Sequence, residues 1–241
     1  MASLNQRTLE PEWIDDPGIE SRLHVDALRG LERINRWSLS PDILWPFIEE
    51  RARKLHSSPI KILDIATGAG DIPLQIWKKA RRSGLHLQIE ACDKSATAVK
   101  YAQGRAAALR ADIRFFTLDV FRESLPENYQ VTMSSLFLHH LNEEQALHLL
   151  QEMSRASSHA VLINDLIRNP TGLALSYLGT RLLTSSKVVH HDGPQSVRAA
   201  FTIDEVRDLA AKAGLEKFEI FRRWPCRFLF VWKRQPQFGN G

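Results

Sequence analysis

The chain has 241 residues, of which 44% are hydrophobic and 25% charged, and its formal net charge is +4 with a pI near 9.2. This length and composition are typical of one globular domain with a large core, and the basic residues are scattered among acids as on a solvated surface. The two cysteines, Cys92 and Cys226, exclude a disulfide framework and a cysteine metal site. The amino terminus is polar and no apolar run approaches membrane-spanning length, so we expect a cytoplasmic protein without a membrane span.

Residues 1–58 are predicted to form a helical extension that precedes the main fold. Residues 1–14 show no periodic pattern and are expected to be loosely ordered. Asp16-Pro17 is a good helix start, and apolar residues then recur at helical spacing as far as Trp37. A second helix is predicted from Ser40-Pro41. Residues 56–59 form the linker into the main fold.

The stretch from Lys61 to Pro73 combines a buried strand, two glycines and the start of a helix. In strand–turn–helix units of this kind, ligands bind just beyond the carboxyl end of the strand. Gly68 and Gly70 allow the backbone to approach a ligand closely, and Asp64 stands at the strand end. The sequence therefore predicts a ligand site at this turn.

Residues 59–235 are predicted to form the main domain, with residues 236–241 as a tail. Five apolar strands alternate with helices, and two closing strands are joined by a tight turn around Trp224-Pro225. This order predicts an α/β fold with a doubly wound sheet. Residues 167–200 are too long for a simple loop, which indicates a functional insertion.

Polar residues follow several of the predicted strands. Asp93 lies where a βαβ fold places the carboxylate that binds ribose hydroxyls, although it could instead cap the next helix. His139 and His140 follow the fourth strand, where they could act in catalysis or brace the following helix. In the insertion, residues 190–192 (His-His-Asp) could line an acceptor pocket or form a polar turn.

The pattern Asp64-x-Ala66-x-Gly68-x-Gly70 resembles motif I of the class I S-adenosylmethionine-dependent methyltransferases, with Ala66 in place of the first glycine. The resemblance extends over residues 60–233 and implies a seven-stranded, Rossmann-like sheet, mostly parallel with an antiparallel last strand. Residues 134–141 resemble the small-molecule methyltransferases of ubiquinone and menaquinone biosynthesis.

The resemblance also implies a site and a cofactor, S-adenosyl-L-methionine. Asp93 would bind the ribose of the cofactor and Asp119 the adenine amino group. The candidate catalytic residues, His140 and His139, follow from their position after the fourth strand and not from the resemblance. No metal site is expected, so transfer should survive EDTA. The complete set of implied cofactor-binding residues is Asp64, Ala66, Thr67, Gly68, Gly70, Asp93, Lys94, Asp119, Val120 and Ser135.

We therefore expect O- or C-methylation of a hydrophobic, phenolic or quinol-like small molecule in secondary metabolism, with no nucleic-acid partner. One alternative is an RNA or protein methyltransferase, which the basic pI favours but Ser134–Phe137 does not, because base-methylating enzymes usually carry N/D-P-P-Y/F there. A nicotinamide-dependent oxidoreductase or a non-catalytic nucleotide binder is the other alternative, and the missing third glycine disfavours both.

Acceptor choice should come from the two additions to the sheet. The amino-terminal helices carry an apolar stripe with Leu28, Leu31 and Ile34, and the insertion carries one with Leu173, Tyr177 and Leu178. The hypothesis is that the two stripes form an apolar roof that excludes water from the transferred methyl group. The alternative is that each stripe only packs on the core.

Overall fold

The computed structural model describes residues 4–16, 18–37, 39–54 and 59–235. Pro17, most of the predicted linker and the predicted tail lie outside these residues. The strands are β1 (Ile60–Ile65), β2 (Leu87–Asp93), β3 (Ile113–Thr117), β4 (Tyr129–Ser135), β5 (Ser157–Leu166), β6 (Glu219–Arg223) and β7 (Arg227–Lys233). The helices are α1 (Ser21–Trp37), α2 (Ser40–Lys54), α3 (Asp71–Arg82), α4 (Ala96–Leu109), α5 (Glu143–Ala156), α6 (Pro170–Leu183), α7 (Lys187–Ala199) and α8 (Ile203–Lys212).

The seven strands form one sheet in the order β3-β2-β1-β4-β5-β7-β6. Strands β1 to β5 pair in parallel, while β7 runs antiparallel to both β5 and β6. From β1 the chain adds β2 and β3 on one side of the sheet, and then β4 and β5 on the other side. Ligands bind at the switch point between β1 and β4, where the direction of this succession changes. The doubly wound sheet and its antiparallel last strand are as the sequence predicted.

The central strands are buried on both faces, which explains why their sequences are continuous apolar runs rather than alternating ones. One face packs against α5 and α8, and the other packs mainly against α2 and α3. Because helices cover both faces, the carboxyl ends of the parallel strands remain as the place where the chain can build a ligand site.

The amino-terminal segment is ordered, contrary to the prediction for residues 1–14. Residues 4–16 lie along α7, and Asp192 on that helix accepts the backbone N–H groups of Trp13 (3.0 Å) and Ile14 (3.1 Å). Thr8 donates its backbone N–H to the carbonyl of Arg198 (3.2 Å). These contacts join parts of the chain that are far apart in sequence, so no local pattern could have predicted them.

The insertion is a pair of helices, α6 and α7, that packs against α1. Two glycines allow the close approach of these helices. A Cβ atom on Gly193 would lie 2.4 Å from the Thr180 side chain, and one on Gly30 would lie 2.6 Å from the Thr184 hydroxyl. The three helices therefore form one packed layer over the carboxyl edge of the sheet. In the described part of the chain, no helix has the length and apolar character needed to cross a bilayer.

Candidate active site

The turn after β1 has an unusual backbone that only certain residues tolerate. Ala66, Gly68 and Gly70 all have positive φ, at 57°, 53° and 68°. A Cβ on Gly70 would lie 2.7 Å from the Phe115 ring, so this glycine is needed for packing, whereas a Cβ on Gly68 would have nothing within 4 Å. Gly68 therefore faces open space, and its backbone is accessible to a ligand.

Asp64 supports this turn from behind. Its carboxyl group is buried and accepts a hydrogen bond from the Thr67 hydroxyl at 2.6 Å. Burial raises the pKa of Asp64 to about 8, and the hydrogen bond from Thr67 only partly opposes this effect. Asp64 does not line the cavity described below, although the sequence suggested that it could reach the ligand.

Asp93 contacts the turn from the end of β2. One carboxylate oxygen accepts the backbone N–H of Gly68 at 2.8 Å, and the other accepts the N–H of Ser95 at 2.9 Å. The cap of α4 is the Ser95 side chain, which accepts the N–H of Ala98. The position of Asp93 thus joins β2 to the glycine turn, and its assignment to a ribose remains a proposal.

The other predicted residues near the third strand lie outside the cavity. Asp119 accepts the backbone N–H of Phe121 at 3.0 Å, and its carboxylate is 3.5 Å from the Arg122 guanidinium. The Val120 side chain is in the core beside α5. Lys94 follows Asp93 at the carboxyl end of β2 and also lies outside the cavity.

A cavity of about 220 Å³ lies over the carboxyl ends of β1, β4 and β5. One buried water needs roughly 10–15 Å³, so this space is large enough for a small molecule. Its floor includes the glycine turn and the residues that follow β4. The predicted site residues that line it are Ala66, Thr67, Gly68, Ser135, His139 and His140.

The roof of the cavity comes from α1, α6 and α7. Leu28, Leu31 and Ile34 of α1 all line it. The predicted face of α6 was wrong, because Tyr177 and Leu178 point outward and are 41% and 60% exposed. The residues of α6 that face the cavity are Gly172, Leu175, Ser176, Gly179, Thr180 and Leu183.

His139 is buried at the cavity wall and paired with a buried carboxylate. Its Nδ1 lies 2.6 Å from Oδ1 of Asp165 at the end of β5. Burial raises the pKa of Asp165, but the adjacent His139 and the hydrogen bonds to that carboxylate outweigh this effect, so the net pKa is below its usual value. An ionised Asp165 only accepts hydrogen bonds, which places a proton on Nδ1 and leaves Nε2 of a neutral His139 as the acceptor.

Glu12 faces both histidines from the amino-terminal segment. Its carboxylate oxygens lie 3.8 Å from Nε2 of His139 and 3.7 Å from Nε2 of His140, and Ser196 donates to it at 2.5 Å. The ligand atoms of Glu12, His139 and His140 lie within 4.8 Å of one another, so these three residues could hold a metal ion. Because Glu12 is distant in sequence, the spacing of the histidines alone gave no indication of such a cluster.

Residues 190–192 neither line the cavity nor form a polar turn. They belong to α7, where His191 stacks on Trp13 with ring centroids 3.9 Å apart. His190 contacts the carbonyl of Thr184 at 2.7 Å. In this structure, Asp192 and His191 bind the amino-terminal segment, and His190 binds the connection between α6 and α7. Pro194 lies inside this helix.

Residues 62–159 match a protein-family model described as "Methyltransferase domain". The matched stretch is 98 of the 241 residues, and over it the chain is similar to methyltransferase domains. The chain has the class I, Rossmann-like fold, and two of the solved structures that share this fold hold bound S-adenosylhomocysteine. Among curated proteins, none matches the chain significantly.

Solved structures of methyltransferases share this fold at low sequence identity. The plantazolicin methyltransferase BpumL is 17% identical with a TM-score of 0.67, and the match covers 92% of this chain and 93% of BpumL. The magnesium protoporphyrin IX methyltransferase ChlM from Synechocystis PCC 6803 is 16% identical with a TM-score of 0.58, covering 92% and 91%.

Other matches involve longer proteins. A protein from Nostoc punctiforme PCC 73102, named as an O-methyltransferase, is 17% identical with a TM-score of 0.55, and the match covers 84% of this chain. The chain spans 60% of the length of that protein and 50% of the length of PigF.

The glycine turn leaves room for a bound molecule. Gly68 has open space where a side chain would lie, and the backbone from Ala66 to Ala69 lines the cavity. Gly68 also donates its N–H to Asp93, which orders the turn before a ligand binds. The cofactor-binding set stays a proposal, and the members of it that line the cavity are Ala66, Thr67, Gly68 and Ser135.

Among the polar residues of the cavity wall and its surroundings that were not predicted, three bear on the proposed chemistry. Asp165 ends a strand next to β4, and the rule that polar residues at strand ends build the site could have identified it. Glu12 had no such signal, because it lies in a segment without periodicity. Arg227 begins β7 and lines the cavity as a buried cation.

Proposed function

We propose that this protein transfers the methyl group of S-adenosylmethionine to a flat, apolar small molecule, by O- or C-methylation of a phenolic or quinol-like acceptor. The observation that supports it most is that the glycine turn, an apolar roof and the His139–Asp165 pair share one cavity. The likeness of Ser134–Leu141 to enzymes of ubiquinone and menaquinone biosynthesis supports the acceptor class.

The cofactor supplies a methyl group already activated on a sulfonium, so the protein needs to orient the acceptor and remove its proton. The acceptor hydroxyl would donate a hydrogen bond to Nε2 of His139. As the acceptor oxygen forms a bond to the methyl carbon and the carbon–sulfur bond breaks, His139 would take the hydroxyl proton. Asp165 and Glu12, on either side of the ring, would stabilise the resulting imidazolium.

The apolar roof would have two effects on this reaction. Leu28, Leu31 and Ile34 exclude water, which would otherwise compete for the hydrogen bond to His139. The same side chains offer a flat hydrophobic molecule a surface to bind. A nucleic acid needs an open basic surface instead, and the cavity wall has Arg227 as its cation among the described residues.

The test is transfer from labelled S-adenosylmethionine to a panel of phenols, quinols, amines and RNA. We expect phenols or quinols to be methylated. His139→Gln and Asp165→Asn should each lower turnover at least about a hundredfold, because the first removes the base and the second leaves Nδ1 without its acceptor. The dissociation constant for S-adenosylhomocysteine should remain unchanged in both variants.

His86→Gln is the matched control, since His86 is an exposed histidine before β2. It should behave as the wild type in both measurements. Methylation of RNA with no methylation of any small molecule would refute the proposal. Full turnover in His139→Gln would remove this residue from the mechanism while leaving the acceptor class intact.

A further inference from the structure

Arg227 is a buried cation at the wall of the cavity, only 2% exposed. A guanidinium has five N–H donors, and a buried one is normally paired with a carboxylate or fully hydrogen-bonded. Within residues 4–235 as described, this one donates to the Ser40 hydroxyl alone, and its Nε has no hydrogen-bond partner. The chain itself therefore leaves most of the binding capacity of Arg227 unused.

The nearest carboxylates do not neutralise this charge by direct contact. Burial lowers the pKa of Arg227 to about 10, and Asp165 and Asp71 oppose the shift only through longer-range attraction. Asp165 is already engaged with His139, and Asp71 accepts a hydrogen bond from Asn35 at 3.1 Å. An arginine of this kind is a favourable site for an anion, because the surrounding protein strengthens the pairing and gives it little competition from water.

The backbone of Arg227 lies away from the cofactor turn, although its guanidinium is within electrostatic reach of Asp71, which follows that turn. Arg227 pairs with Leu166 at the end of β5, and β7 lies three strand spacings from β1, which is roughly 14 Å. Its neighbours on the cavity wall are Pro225, Cys226 and Gly172, which belong to the closing hairpin and to α6. Helix α6 is part of the roof under which the proposed function places the acceptor.

We propose that Arg227 binds a carboxylate of the acceptor, so that the substrate is an apolar aromatic acid rather than a neutral phenol. This inference rests on the proposed function and narrows its substrate class. The planar guanidinium can hold a carboxylate through two parallel N–H···O bonds, which also fixes the direction of the molecule. The carboxylate would lie at the β7 end and the apolar body under the roof. The hydroxyl to be methylated would then point to His139.

The test measures binding and needs no turnover. With S-adenosylhomocysteine saturating, 4-hydroxybenzoate and 6-hydroxy-2-naphthoate are titrated by calorimetry beside their carboxamides. We expect at least one acid to bind the wild type about tenfold more tightly than its amide. Arg227→Gln should reduce that preference to twofold or less, while Arg227→Lys should retain part of it because it keeps the charge. Arg222→Gln, an exposed arginine of the same hairpin, is the control.

Three results would overturn the inference. The first is a wild type that binds neither acid more tightly than its amide, a result that does not depend on any variant folding. The second is an acid preference that persists in Arg227→Gln. The third is a tenfold weaker affinity of Arg227→Gln for S-adenosylhomocysteine with unchanged affinity for 5′-methylthioadenosine, since that would assign Arg227 to the carboxylate of the donor. Methyl transfer to a neutral phenol alone would leave the proposed function standing and remove only this inference.

Discussion

The Asp93 carboxylate orders the glycine turn, and a second role is proposed for it. It accepts the N–H of Gly68, which orders the glycine turn, and we propose that it also binds the ribose of the cofactor. A hydrogen bond to a charged group contributes about 1.5–3 kcal/mol. Losing it would therefore weaken binding by roughly 10- to 100-fold.

We expect Asp93→Ala to raise the dissociation constant for S-adenosylhomocysteine by this factor, as measured by calorimetry, with little change in the folded structure. Asp112→Ala, at an exposed position before β3, is the control and should bind as the wild type does. If the affinity of Asp93→Ala is unchanged, Asp93 is not a cofactor residue.

Asp64 makes stability depend on pH. Its folded-state pKa of about 8 lies above the ordinary value of 3.8, so folding takes up a proton between these two pH values. The stability contributed by this group is therefore fully present at acidic pH and is lost as pH rises through about 8. Each unit of difference in pKa corresponds to about 1.4 kcal/mol.

Asp64→Asn should remove this loss, because asparagine is neutral at every pH and can still accept the Thr67 hydrogen bond. The free energy of unfolding of the variant should increase relative to that of the wild type as pH rises from about 4 to about 8. Urea unfolding at several pH values measures this difference. A constant difference would mean that Asp64 is ionised in the folded protein.

The site residues that follow strands were predictable, because the sheet brings the strand ends together. The site residues that arrive from other parts of the chain were not predictable. The carboxyl ends of parallel strands meet at one edge, so Asp93, His139 and the glycine turn could be expected there. Ala66 also has a physical explanation in the structure: its φ of 57° is a conformation that glycine adopts more readily, which matches the glycine usual at that motif position. Glu12 and Arg227 are brought in by tertiary packing, which leaves no local signal.

Helix α6 shows where hydrophobic periodicity gives the wrong face. A buried helix face is normally the apolar one, but the inner face of α6 must pack closely on α7 and also leave room for a ligand. Small residues such as Gly179 and Thr180 therefore lie inside. Leu178 and Leu182 lie outside, where they are 60% and 74% exposed.

The two faces of α6 give a matched pair of variants. Leu175→Gln puts a polar group into the cavity and should reduce turnover about tenfold or more with little change in cofactor affinity, because an apolar acceptor loses part of its surface. Leu178→Gln changes an exposed residue and should have no effect on either quantity. Equal losses of turnover in the two variants would show that this helix does not contact the acceptor.

At the scale of the whole molecule, the alternation of strands and helices was sufficient to predict the sheet. The closing hairpin has the predicted antiparallel direction. The arrangement of the roof could not be predicted, since it depends on contacts of α1 with α6 and α7 across the cavity.

The same large-scale arrangement bears on metal dependence. Glu12, His139 and His140 converge from separate parts of the chain and could hold a metal, yet the proposed chemistry needs none. We expect transfer to survive excess EDTA, with metal analysis of the purified protein as a parallel measurement. Loss of activity on chelation, restored by one added divalent ion, would contradict the role of His139 as the base and would indicate a metal site instead.

The contacts of residues 4–16 with α7 have a practical consequence. This segment is held by backbone hydrogen bonds, the Trp13–His191 stack and the contact of Arg7 with the Phe201 ring, and it carries Glu12 into the cavity. A protease that cut near Gly18 would release the segment and leave the sheet intact. If Glu12 acts as proposed, a cleaved preparation would look folded by spectroscopy while containing an inactive fraction. The mass of the intact polypeptide, rather than its melting curve, is therefore the measure of how much active enzyme is present.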